Sequence, residues 1–464
     1  MAIRHTIQAL TLCAVVTAAG EATAAVPADT ASQRATAPAA AAPAAPTAGT
    51  LRLSRQECID IALQASPTVR VADMEVKRMD YSKKETLAAV FPQINFSTNY
   101  QRSIELQTVR MDMGGQSQSF KMGSDNSWNM GFSASMPLVS PTLWKAIQIS
   151  DTQILANLES ARASRLNLVD NINKAYYALL LAVASKAVIQ QNYDIAVFNA
   201  GIFEKQFEAG TASEYDVLRS SVQVKNVEPE LLQADIALKQ CKLQLKVLMG
   251  ISTDADIEPT VTLAEMQQEM YGYPLGADTS LSDNTQLRSL DIQKKMLDQT
   301  VTMRKFSWIP TLGVTYNLAW MSLSNGSPFK GQEFNPYSNV GFSLSVPIFS
   351  GGSKLYSLRQ AQVQRRELDL QREDLVNTLN MQVELAIDNI NREARQIEAS
   401  AEGMRQAGKA YEIMQKSFEI GAASYLDLRD SELANTTSQL SYYQAIYNYL
   451  VSYSELDLLL GKGL

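Results

Sequence analysis

The chain carries one sequence pattern twice, about 210 residues apart. Gly131-Phe132-Ser133-Ala134-Ser135-Met136-Pro137 returns as Gly341-Phe342-Ser343-Leu344-Ser345-Val346-Pro347. Phe207-Glu208-Ala209-Gly210 with Asp216-Val217 returns as Phe418-Glu419-Ile420-Gly421 with Asp427-Leu428. Val247-Leu248-Met249-Gly250 returns as Leu458-Leu459-Leu460-Gly461, and Phe91-Pro92 as Ile309-Pro310. Four matches in one order mean a duplicated unit, so whatever one half builds the other builds beside it. Each copy mixes very long helical stretches with a pair of short alternating strands. The expected fold is mainly α with two β-hairpins, one per copy.

The helical stretches have coiled-coil rather than globular spacing. Leu368, Leu375, Leu379, Ala386, Ile390 and Ile397 follow steps of seven and four, a seam that predicts one helix over 352–419. At 1.5 Å per residue its roughly 68 residues make a rod of about 100 Å. The counterpart over 141–208 opens at Ser140-Pro141, a cap residue followed by proline at the first helical position. Shorter helices are predicted over 54–90, 214–248, 283–308 and 424–460, about 55, 52, 39 and 55 Å long. End to end, the first pair and the second pair each match one long helix. Pro229 should kink the helix it sits in. Residues 251–282 show no clear period and are expected to form a small mixed belt at mid-height, where the stacked helices meet.

The beginning of the chain reads as an export signal. Arg4 and His5 precede an apolar stretch from Ile7 to Val16, and Ala22-Thr23-Ala24 offers a small-residue cleavage site, which predicts a signal peptide over 1–24. Cys13 follows Leu12 where a lipoprotein site wants a small residue, which argues against lipidation. Residues 25–50, almost all Ala, Pro and Thr, are expected to be a disordered leader. No later window holds the ~18–20 uninterrupted apolar residues of a spanning helix. Net charge is −7 with both signs mixed, which gives no case for nucleic acid. The only histidine is His5, and neither glycine-rich phosphate-binding pattern occurs. His-based catalysis and His-containing metal sites are thereby excluded, and an enzyme is not expected.

Two hairpins are predicted, over 93–139 and 311–349. In the second, Leu312, Val314, Tyr316, Leu318 and Trp320 alternate with Thr311, Gly313, Thr315 and Asn317. One face is apolar and the other small and polar. A soluble sandwich would bury the apolar face against another sheet, whereas a membrane barrel would turn it to lipid and the polar face to a watery lumen. Export without a helical anchor, and strands of about 10 residues, favour the barrel. Trp308 and Trp320, with Trp128 from the first hairpin, are the expected membrane-interface aromatics. A spacing of roughly 28 Å along the membrane normal would place Trp308 and Trp320 in two girdles. Four strands cannot close a barrel, because an open edge in lipid leaves backbone groups unpaired. The chain must then oligomerise, with 8, 12 or 16 strands in all.

The chain resembles the TolC family of outer-membrane efflux ducts over its length from about residue 51. The motifs are Ser66-Pro67-Thr68-Val69 and Asn284-Thr285-Gln286-Leu287 opening the two copies, Met136-Pro137-Leu138-Val139 and Val346-Pro347-Ile348-Phe349-Ser350-Gly351-Gly352 closing the hairpins, and the paired Phe-x-x-Gly-x5-Asp turns. The resemblance implies a homotrimer with a 12-stranded barrel in outer-membrane lipid and an α-helical tunnel of about 100 Å reaching into the periplasm. It also implies an exit duct for an inner-membrane transporter, joined through a periplasmic adaptor protein, with no cofactor.

It further implies where such a duct would be worked. The helix-turn-helix tips, Gly210-Thr211-Ala212 and Gly421-Ala422-Ala423, match the family's adaptor contacts. Glycine there also has an ordinary role as a helix terminator. Asp427 and Asp430 share a helix face and match the two acidic positions that constrict the tunnel mouth. As solvated acids near a helix start they would be unremarkable; ringed around a pore they would select cations. Asp216 matches the first-copy acid that helps hold the mouth closed. Ala423 and Phe418 stand where the family places a basic residue and a tyrosine, so closure here should rely on packing or on Arg429. Cys58 and Cys241 both fall beside the belt, as free buried thiols or as a disulfide. The tyrosines of 424–460, such as Tyr442 and Tyr449, are expected to be packing residues. From a different class, a barrel-anchored trimeric stalk without transport is the alternative, disfavoured by the small polar strand face.

Overall fold

The computed structural model describes residues 51–113, 116–252, 256–270, 279–329 and 332–463. The expected signal peptide and leader lie outside the described residues. In chain order the elements are β1 (Leu51–Leu53), α1 (Arg55–Ala65), α2 (Pro67–Ala88), β2 (Gln93–Arg102), β3 (Gln107–Met113), β4 (Gln116–Met122), β5 (Asn126–Val139), α3 (Pro141–Glu208) and α4 (Glu214–Met249). They continue as β6 (Ile257–Pro259), α5 (Leu263–Met270), a 3₁₀ turn, α6 (Thr285–Phe306), β7 (Thr311–Ser324), β8 (Asn335–Ser345), α7 (Ser353–Glu419) and α8 (Tyr425–Leu460). The two copies repeat nearly to the residue: α2 and α6 have 22, α4 and α8 have 36, and α3 and α7 have 68 and 67.

Each long helix carries a stacked pair. α2 and α4 pack along α3, and α6 and α8 pack along α7. The ends of each pair abut. A Cβ added at Gly250, the last-turn glycine of α4, would lie 3.0 Å from the carbonyl of Ala65, and one at Gly461 after α8 would lie 2.1 Å from that of Asp283. Both glycines are left-handed, at φ 69° and 71°, so a side chain would meet strain and a clash together. Arg162 of α3 clips the second junction by donating to Gly461 O at 3.0 Å and Asp283 O at 3.1 Å.

The helix predicted over 54–90 is two helices. Pro67 clashes with a helical residue before it, so Ser66 turns extended at ψ 129°. α1 folds separately, started by a capping box between Ser54 and Glu57. The upper helix of the first copy is therefore α2 alone. α4 by contrast runs unbroken through Pro229. The belt contains β1 paired parallel to β6 (Leu51 opposite Ile257), with α5 nearby.

The apolar core lies at this mid-height. Cys58, Ile172, Leu179, Leu245, Met249 and Ile446, all fully buried, belong to it. Both thiols are free, and burial pushes that of Cys58 up to about 12. Tyr449 is buried in the same core, and Tyr442 donates to Gln267 Oε1 at 3.2 Å. α3 holds an 18-residue stretch apolar enough to span a membrane by length and composition, at mean hydropathy 1.3. In this chain α3 packs against α2, α4, α6 and α8.

The sheet runs β2-β5-β7-β8, antiparallel throughout. The two hairpins are joined through β5 and β7, with Phe96 opposite Phe132, Phe132 opposite Leu318, and Val314 opposite Phe342. Pro137 falls at a register shift of β5, where a missing N–H is tolerated. β3 and β4 form a third hairpin inserted between β2 and β5, which periodicity did not predict. β2 and β8 are the edges of the four-stranded sheet, each paired on one side only.

Candidate functional site

The far end of the helices from the sheet is built from two copies of one turn. Two residues past the end of α3 lies Gly210 with φ 74°, and two past the end of α7 lies Gly421 with φ 76°. Thr211 N donates to Gln206 O and Ala422 N to Ser417 O, each at 2.8 Å. A left-handed residue is what lets the chain reverse so tightly, and glycine pays no Cβ penalty for it. Thr211 and Ala422 are exposed at the tips, and Ala212 and Ala423 are half-buried beside them.

The next helix in each copy starts with the same capping box. Ser213 donates from N and Oγ to Asp216 Oδ2 at 3.1 and 2.6 Å, and Ser424 donates likewise to Asp427 at 3.2 and 2.7 Å. The serine hydroxyl, then its backbone N–H, holds each aspartate below the usual carboxylate range. Asp427 thus spends one oxygen on its own helix. Asp430, one turn on, is exposed and has no ion-pair partner among the described residues. The first-copy residue in its place is Arg219, so the duplication has diverged there to the opposite charge.

Behind the tips, four helices meet through aromatic rings. Phe203 of α3 stands edge-on to Tyr425 of α8 at 4.9 Å, and Phe418 of α7 lies 6.2 Å from both. Arg219 of α4 places its guanidinium 5.6 Å from the Tyr425 ring centre. Packing is thus what joins the hairpins here. The cation on the cluster is Arg219, which sequence reasoning did not single out; Arg429, which it did, acts on Tyr425 and Glu432 through its charge. Sequence reasoning also misses Tyr425 and Phe203, since a single aromatic at a helix start or near a helix end carries no local signal. Glu432, two turns from Tyr425, is 7% exposed and its Oε1 has no hydrogen-bond partner.

At the other end, the apolar sheet face is uncovered. Ile94, Phe96, Val340 and Phe342 are 70%, 57%, 62% and 73% exposed. Trp128 stacks on Tyr100 at 4.5 Å and donates from Nε1 to Pro328 O at 3.3 Å. Trp320 meets Phe132 edge-on at 6.5 Å. Trp308 is not on the strand: it lies in the turn after α6, its N–H donating to Lys305 O, and β7 begins at Thr311. The strand-rise spacing expected between Trp308 and Trp320 therefore does not apply. Among the described residues no three His, Cys, Asp or Glu side chains gather as a metal site.

Comparison with known proteins gives a consistent result. The family profile described as Outer membrane efflux protein matches residues 58–251 and 277–462, one segment per copy. The alkaline protease secretion protein AprF of Pseudomonas aeruginosa is 24% identical over 86% of this chain and 83% of its own. The outer membrane protein TolC of Vibrio cholerae is 20% identical over 81% and 83%. The open-state crystal structure of the Neisseria gonorrhoeae MtrE outer membrane channel superposes with a TM-score of 0.69 at 17% identity, over 90% of this chain and 94% of that one.

Proposed function

The chain belongs to the outer membrane efflux protein family, and from that premise we propose that three copies close into the exit duct of a tripartite efflux or type I secretion system. Its place is the outer membrane. In this reading the helices extend into the periplasm, the tips receive a periplasmic adaptor protein, and an inner-membrane transporter delivers the cargo. The duct is passive and does no chemistry.

The observation that carries the reading is the uncovered apolar sheet with an open edge at β2 and another at β8. A sandwich would have covered that face, and lipid tolerates neither edge unpaired. The helices end in matching edges. α2 and α4 form one flank, with Val71, Met74, Val222 and Ile236 between 57% and 69% exposed. α7 forms the other, with Tyr356, Val363 and Leu370 at seven-residue spacing and 58–65% exposed. Two different surfaces, each apolar, suit a head-to-tail ring.

Asp427 and Asp430 of three copies would make two rings of carboxylates at the narrow end, with Asp216 beside them, a constriction selective for cations. Single-channel conductance of the purified oligomer in a planar bilayer tests this against an Asp427→Ala/Asp430→Ala variant. Small cation-selective steps that grow in the variant, with weaker block by multivalent cations, are expected. An inserted trimer that passes no current in either form would overturn the duct in favour of a barrel-anchored stalk.

A further inference from the structure

Glu432 is an ionisable residue with one carboxyl oxygen buried where no hydrogen bond reaches it. It lies on α8 at 7% exposure, its Oε1 buried and unpartnered. The titratable and charged groups that bear on it are Tyr411 from α7, and Arg429 and Tyr425 from its own helix. Arg429 attracts its charge without bonding to that oxygen. From α3 the neighbouring side chain on Tyr425 is the apolar Phe203, and Arg219 of α4 reaches the Tyr425 ring. Tyr425 and Glu432 are seven residues apart and so share a helix face. The carboxyl therefore sits in the same seam as the ring cluster that joins the two hairpins.

We propose that Glu432 is a proton-operated lock on the helical tip. With the carboxyl neutral, α8 stays seated against α3 and α7; with it ionised, the seat loosens and the tip opens. This rests on the reading of that end as the aperture of a duct. A buried carboxylate without a partner carries the full cost of its lost water, which a neutral acid largely escapes. A glutamine would fill the same space and never titrate. Its first-copy counterpart is Ser221, so only the second hairpin carries the device.

The direction follows from where the proton is held more tightly. Burial raises the Glu432 carboxyl from an ordinary 4.5 to about 7 in the seated tip, opposed weakly by Arg429. The seated form thus binds the proton more tightly, and its advantage is full at low pH and is lost as pH rises through that window. Complete exposure on opening would shift the balance by about two orders of magnitude between pH 5 and 8. Asp427 and Asp216 are held below the ordinary carboxylate range and stay charged across that window.

The test is hydrogen exchange of tip peptides from the assembled protein at pH 5, 6, 7 and 8, corrected for intrinsic rates, beside bilayer conductance. Wild-type protection over residues 203–221 and 411–435 is expected to fall roughly tenfold or more as pH rises. Glu432→Gln and Glu432→Met are expected to keep the low-pH protection throughout. A flat wild-type profile, or variants that follow the wild type, would overturn the lock whether or not the channel conducts. Loss of the pH dependence in both variants, with no current at any pH, would keep the lock and reject the duct.

Discussion

Ser213 and Ser424 show how much one residue sets at the tips. Each starts a helix and, in doing so, fixes the charge of the aspartate three residues on. Asp427 and Asp430 are two acids on one face in the sequence, yet only Asp427 is tied to the cap. Asp430→Asn alone should therefore raise conductance without altering tip protection in hydrogen exchange. Asp427→Ala should change both, because it also removes the acceptor of two serine donors. The cap's contribution is present above the ordinary aspartate value of 3.8 and is lost as pH falls through the lowered one. Arg162 is the comparable residue at mid-height. Replacing it with alanine leaves two helix-end carbonyls without their donor, and should lower stability by about 2 kcal/mol, read as a lower thermal midpoint.

At the scale of elements, pattern alone carried far. The seven-and-four spacing of Leu368 to Ile397 gave α7 its length, and strict alternation gave β7 its two faces. The break at Ser66-Pro67 was not legible, because a proline starts a new helix in one setting and rides within one in another. Pro67 does the first and Pro229 the second. What separates them is tertiary: the end of α4 abuts the α1–α2 junction. The β1–β6 pair is three residues a side, too short for any periodicity. The ring cluster of Phe203, Phe418 and Tyr425 joins positions up to 222 residues apart, which no local window can see. The sheet faces yield a direct prediction. Phe342→Lys on the apolar face should cost about 2–4 kcal/mol at mid-bilayer and reduce the fraction of inserted oligomer. Asn317→Lys, on the opposite face, should leave insertion near wild type.

For the whole molecule, the repeat supplies the joint between copies. Within each copy the register agrees: Phe96 opposite Phe132 corresponds to Val314 opposite Phe342. Between copies of the pattern, β5 meets β7 with Ser133 opposite Asn317. The same joint between chains would set β8 against a neighbour's β2 with Ser343 opposite Asn99. An Asn99→Cys/Ser343→Cys variant should thus form an interchain disulfide and run as a covalent trimer on non-reducing gels. A ladder that stops at dimer, or none, would reject that register. On the helical flanks, Ile236→Asp and Val363→Asp should share one phenotype, loss of trimer by native mass, although one lies on α4 and the other on α7.

Arg55 near the start of the described residues and Lys462 near their end line one cavity at mid-height. The first and last of the described residues therefore come near one another. Joining Gly463 to Leu51 by a short linker and cutting instead between the copies would reverse the order of the halves in the gene. The rotated chain should assemble the same walls, because which half is translated first is a property of the reading frame and not of the wall.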